Sequence, residues 1–101
     1  MEDFGDCLVL QTFADLHLHA PQYPMVGTGM DLTLLDWLNT YTFPAEARFS
    51  DPDYARKVYR QLSAELIANG TTRVAMFSSL HTDATLILME ELERAGVTGY
   101  A

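Results

Sequence analysis

Apolar and polar residues alternate through residues 13–19, F-A-D-L-H-L-H. A strand sends successive side chains to opposite faces. The stretch therefore predicts a strand with Asp15, His17 and His19 on one side and Ala14, Leu16 and Leu18 on the other. Pro21 cannot donate to a sheet ladder, so the strand should end near His19. Upstream, residues 7–11 are short, apolar and β-prone, and Gly5-Asp6 before them is a turn signal. A short strand is expected there, with a bend at Gln11 and Thr12. Residues 71–80, T-T-R-V-A-M-F-S-S-L, are β-branched and apolar and follow Gly70, which predicts a buried strand. Residues 97–101 read as the start of a third.

A helical period separates these strands. In residues 32–41, Leu32, Leu35, Trp37 and Leu38 lie near one helical face. Asp31 is the expected N-cap, Trp37 an expected core residue, and Phe43-Pro44 the expected stop. Residues 51–69 give the clearest helix. Ser50 or Asp51 caps it, Pro52 suits its first turn, and Asn69-Gly70 suits its end. Ala55, Val58, Tyr59, Leu62, Leu66 and Ile67 form its apolar stripe, with Arg56, Lys57, Arg60 and Glu65 on the wet side. A second helix should run from a cap at Thr82 or Asp83 to Ala95, with Leu86, Met89 and Ala95 facing the sheet. Gly96 ends it. The loop of residues 21–30 holds two prolines and two glycines and is expected to be irregular.

The order is strand, helix, strand, helix, strand. It implies an α/β fold of parallel strands joined by right-handed crossovers. Two helices on one face leave the other sheet face and the edges bare. Such a unit is expected to be a piece of a larger closed sheet, or to associate with itself.

Composition narrows the function classes. The chain has 101 residues, which predicts one domain, and about half are hydrophobic, which suits a packed core. Its net charge of −8 disfavours nucleic acid and anionic membranes as partners. No apolar run approaches the roughly 20 residues of a membrane span. The start, Met1-Glu2-Asp3, has no basic leader, and Cys7 has no second cysteine to pair with, so a cytoplasmic location is expected. A lone cysteine also excludes the deaminase type that holds zinc with H-x-E and P-C-x-x-C.

The candidate chemistry lies at the end of the first strand. Neutral imidazole is the commonest protein metal ligand, and His17 and His19 share a strand face. Asp15 on the same face could orient an imidazole or complete the site. Gln22, three residues on, carries donors and an acceptor that could read a polar heterocycle, although its default is a loop amide facing water. Arg48 is expected to pair with Glu46 or Asp51 at the surface. His81 follows the second strand and has a structural default role.

At F-A-D-L-H-L-H-A-P-Q-Y the sequence resembles the amidohydrolase superfamily, whose first barrel strand carries D-x-H-x-H. The runs D-L-T-L-L-D-W-L-N-T-Y-T-F-P-A-E, N-G-T-T and L-H-T-D, in that order, are similar to the guanine deaminases of that superfamily. The resemblance implies a (β/α)8 barrel, a TIM barrel, of which residues 13–101 would be the first two β/α units and the start of a third strand. Residues 1–12 would be the end of a small β-domain or a linker strand. It implies one zinc ion per complete barrel, with His17 and His19 as ligands. It implies a guanine pocket lined by His19, Ala20, Pro21 and Gln22, and hydrolysis of guanine to xanthine and ammonia in purine catabolism. It also implies a homodimer at full length. The family's proton-shuttling glutamate lies in H-x-x-E, which does not occur in this sequence, so no catalytic acid–base residue is expected here. His81 could be a third ligand only after rearrangement. Gln11-Thr12 departs from the Pro-Gly usual before the first strand of the superfamily.

These readings leave rivals. Another amidohydrolase, acting on cytosine, adenine or a triazine, would keep His17 and His19 but have no use for Gln22 in selecting guanine. A non-catalytic, self-associating fragment is the alternative for the chain alone, and simple metal binding by two histidines without a pocket is a third.

Overall fold

The computed structural model describes residues 2–101, and Met1 lies outside the described residues. Three parallel strands form one sheet in the order β1 (Phe13–His19), β2 (Thr71–Phe77), β3 (Thr98–Tyr100). The long helix α3 (Pro52–Ala68) leads into β2, and α4 (Thr82–Ala95) leads into β3; the two also pack on each other. The expected α/β alternation with a parallel sheet is therefore present.

The clear sequence signals are realised. Asp51 caps α3, its Oδ1 accepting from the amides of Asp53 at 2.9 Å and Tyr54 at 3.4 Å. Gly96 takes a left-handed φ of +80° and ends α4, which only a residue without Cβ does at little cost. Ala55, Val58, Tyr59 and Leu62 of α3 pack with Ile87, Leu88 and Leu92 of α4 over Val74 and Met76 of β2. Tyr59 stacks on Phe49 with ring centroids 4.9 Å apart.

Several expectations are corrected. Residues 7–11 form no strand, and Leu8, Val9 and Leu10 are exposed. A strand needs a ladder partner, and none of the described residues pairs with them. The loop after β1 is more regular than expected, because residues Ala20–Met25 make a 3-10 turn. Ile67 is exposed on α3, and Ser63 takes a buried position instead, its hydroxyl donating to the Tyr59 carbonyl at 2.8 Å. On α4, Leu86 and Met89 are exposed rather than facing the sheet, and Glu91 is buried. Arg56 (3.1 Å), Arg60 (3.3 Å) and Arg94 (3.1 Å) surround the Glu91 carboxylate. A carboxylate with that many partners can occupy an inward position that its residue type alone argues against.

The largest correction concerns residues 31–50. Thr33, not Asp31, caps the short helix α1 (Leu34–Trp37). A π-turn over Leu38–Thr42 follows, then α2 (Phe43–Ala47) and a 3-10 turn over Arg48–Ser50. Phe43-Pro44 does not stop the helix. Proline lacks an N–H and its ring collides with the carbonyl four residues back. The wider π-turn, closed by the Phe43 amide on the Leu38 carbonyl, carries the chain past that obstacle. Trp37 is half-buried, its indole N–H donating to the Thr28 carbonyl at 2.8 Å. Among the described residues Arg48 forms no ion pair; its guanidinium lies 4.1 Å from the centre of the Tyr54 ring.

Candidate active site

A β-bulge shapes the functional end of β1. Asp15 stands in register with Val74 and Leu18 with Met76, so Leu16 and His17 together oppose the single residue Ala75. The bulge resets the alternation. Asp15 falls in register with a residue buried under the helices, whereas His19 is in register with Phe77 on the open face. The expectation that Asp15 shares the histidine face is therefore wrong. Its Oδ1 instead accepts from the backbone amide of His17 at 3.1 Å, supporting the bulged residue. Period-two counting cannot anticipate an inserted residue.

His17 and His19 do come together. Their ring centroids lie 5.2 Å apart, edge to face. Phe77, at the end of β2, packs on both, at 5.6 Å from His17 and 4.8 Å from His19. The sequence reading did not single out Phe77, although the alternation Arg73, Ala75, Phe77 would have placed it on that face.

The 3-10 turn begins directly after His19. It buries Ala20 and Pro21 and folds Gln22 back over the strand end. Gln22 does not face water. It is half-buried, with Nε2 3.3 Å from His19 Nδ1 and donating at 3.3 Å to Glu46 Oε1 on α2. His17, Leu18, His19, Gln22, Tyr23 and Val26 line a cleft of about 320 Å³. A larger cleft of about 510 Å³ at the other end of β1 is lined by Leu10, Gln11, Thr12, Ala14 and Arg73, with no His, Cys, Asp or Glu among them.

Two other titratable groups near this end, Tyr59 and His81, have buried polar atoms. Burial pushes the Tyr59 phenol up to about 12, against a smaller opposing effect of Ser78 and Ser79. Those hydroxyls approach the Tyr59 oxygen without closing a hydrogen bond, and the oxygen is buried without a partner. Tyr59 is thus protonated at neutral pH and cannot act as a base. His81 is the N-cap residue of α4, and its Nε2 is buried without a partner.

Two imidazoles on one face suit a zinc ion chemically. Among the described residues no group of three His, Cys, Asp or Glu gathers to hold a metal, and His81 does not join His17 and His19. A catalytic zinc takes about three protein ligands. The donors present fit part of such a site.

The chain is similar to several known proteins. The sequence pattern of the Amidohydrolase family matches residues 8–101. Guanine deaminase of Rattus norvegicus is 49% identical over 82 residues, covering 81% of this chain and 18% of that protein. Guanine deaminase of Escherichia coli is 38% identical over 90 residues, covering 89% of this chain and 20% of that protein. The crystal structure of guanine deaminase from C. acetobutylicum, with guanine bound in its active site, superposes with a TM-score of 0.86 at 52% identity. It covers 89% of this chain and 22% of that one. The chain thus spans about a fifth of the length of these relatives. On this match and this fold, the chain belongs to the amidohydrolase family.

Proposed function

We propose that the protein carrying this chain is a guanine deaminase, which hydrolyses guanine to xanthine and ammonia in purine catabolism. The observation that carries the reading is the meeting of His17, His19 and Gln22 in one cleft at the end of β1, in a chain whose relatives are guanine deaminases. In this reading residues 13–101 are the opening two β/α units of a (β/α)8 barrel and the start of its third strand. Residues 1–12 end a small β-domain or form a linker. The complete protein is a cytoplasmic homodimer.

His17 and His19 hold the zinc ion, and further strands of the complete barrel supply its remaining ligands. When bound, zinc supplies a water activated for attack at neutral pH. His19, Ala20, Pro21 and Gln22 line the guanine pocket. Gln22 selects the base, because a buried amide left unpaired by the wrong heterocycle is costly. Phe77 packs on both imidazoles and limits their rotation. In the reaction a carbon–oxygen bond forms at the purine carbon bearing the amino group, the carbon–nitrogen bond breaks, and ammonia leaves with a proton. This chain holds no H-x-x-E glutamate for that proton, so the 101-residue chain alone has negligible activity.

Ammonia release from guanine, adenine and cytosine by the complete gene product tests the reading. Preference for guanine, lost in Gln22→Ala, is the expected result. Turnover of adenine or cytosine in place of guanine would assign the protein to another branch of the family.

A further inference from the structure

We infer that Glu46 is a positioning residue for Gln22, fixing which end of its amide faces the ligand. The inference rests on the guanine-deaminase reading of the site and adds a residue to it. Gln22 Nε2 lies within hydrogen-bond reach of two groups, His19 Nδ1 and Glu46 Oε1, each at 3.3 Å. An imidazole nitrogen donates or accepts according to its tautomer, so His19 does not decide how the amide is turned. A carboxylate only accepts. Glu46 therefore demands the amide nitrogen, which leaves the Gln22 carbonyl oxygen as the group without a protein partner. That oxygen accepts from a ring N–H or an exocyclic amine of a purine.

The local fold brings the two residues together. A helix stopped at Phe43-Pro44 would not have carried Glu46 to Gln22. The π-turn over Leu38–Thr42 takes the chain past Pro44 and starts α2, and it adds a residue to the helical count, which rotates everything after it. Glu46 is half-buried, and α2 packs against the 3-10 turn that carries Gln22. Pi-turns of this kind recur at functional sites.

Glu46→Gln is the test, in the complete gene product. It keeps the size of the side chain but can donate as well as accept, so the Gln22 amide is free to turn. KM for guanine should rise about tenfold or more, the range of a lost hydrogen bond to a charged group, with kcat changed less than threefold. Guanine affinity of the metal-stripped protein, measured by equilibrium dialysis, should weaken by a similar factor. In a Gln22→Ala background Glu46→Gln should have no further effect, because both changes remove the same interaction. Unchanged KM and affinity in Glu46→Gln, or a full additional loss in the double variant, would overturn the inference. If the unmodified protein does not act on guanine, the functional reading itself fails, a result separate from any effect of Glu46.

Discussion

The two faces of the sheet both carry large apolar residues and meet different surroundings. On the helix-covered face Val74 is 1% exposed and Met76 7%. On the open face Leu16 is 71% exposed, Phe77 57% and Tyr100 83%. Large apolar residues stand on both faces, but only one face has a cover within the described residues. The covered face holds the fold together. The open face carries His17, His19 and Phe77, and a second cleft of about 360 Å³ lined by Leu16, Arg73, Ala75, Thr98 and Tyr100 among others. On the proposed function, stability and chemistry fall on opposite sides of the same three strands.

Paired truncations test this division most strongly. Leu88 is fully buried under the sheet. Leu88→Ala should lower the unfolding free energy by about 2–5 kcal/mol through lost burial and the cavity left behind. Phe77→Ala on the open face should cost less than about 1 kcal/mol in the chain alone, although it removes the packing on both histidines. Urea denaturation of the two variants checks this, and equal losses would erase the contrast.

Acid should sharpen it further. Burial pushes the Glu91 carboxyl up, but hydrogen bonds and charge from Arg60, Arg94 and Arg56 outweigh burial and hold it below the usual carboxylate range. A depressed folded-state pKa contributes stability that is present above the unfolded value, about 4.3, and is lost as pH falls through the folded one. The guanidinium groups are 39–61% exposed, so solvent weakens the pairs. Glu91→Gln should destabilise the chain by about 1 kcal/mol at pH 7, and its stability should fall less steeply than the wild type's below about pH 4.5. Denaturation midpoints between pH 3 and 7 check the slope. Parallel profiles would show that the arginines do not act on Glu91.

The smallest effect on stability should come from the open face. Leu16→Ser with Tyr100→Ser should change it by less than about 0.5 kcal/mol, as expected for exposed positions. The same pair should reduce concentration-dependent association of the 101-residue chain in sedimentation, because large exposed apolar patches drive self-association. Association unaffected by the two serines would locate the sticky surface elsewhere, for instance at the exposed Leu34 and Leu35 of α1.

These contrasts also mark what the residues alone could tell. The strands at 13–19 and 71–77 and the long helix were legible because period, cap and breaker agree at Asp51, Gly70 and Gly96. His17 and His19 were legible as a pair because the strand end holds them on one face. Asp15 was misread because a bulge breaks the period without any glycine or proline to mark it. The inward place of Glu91 was not legible, because its three arginines come from two helices, a tertiary pairing that no window along the chain contains. Glu46 was missed for a related reason. Phe43-Pro44 reads as a helix stop, and the π-turn that carries the chain through it has no residue signature. Gln22 was assigned to water by default, since its partner Glu46 stands 24 residues away.

The central claim is that His17 and His19 hold the metal used in guanine deamination. The most direct measurement is zinc content together with guanine turnover, in the same preparations of the complete gene product, for the wild type and for His17→Ala with His19→Ala. The account predicts about one zinc per chain and xanthine formation in the wild type, and loss of both in the double variant. Full turnover of guanine by the double variant would contradict it.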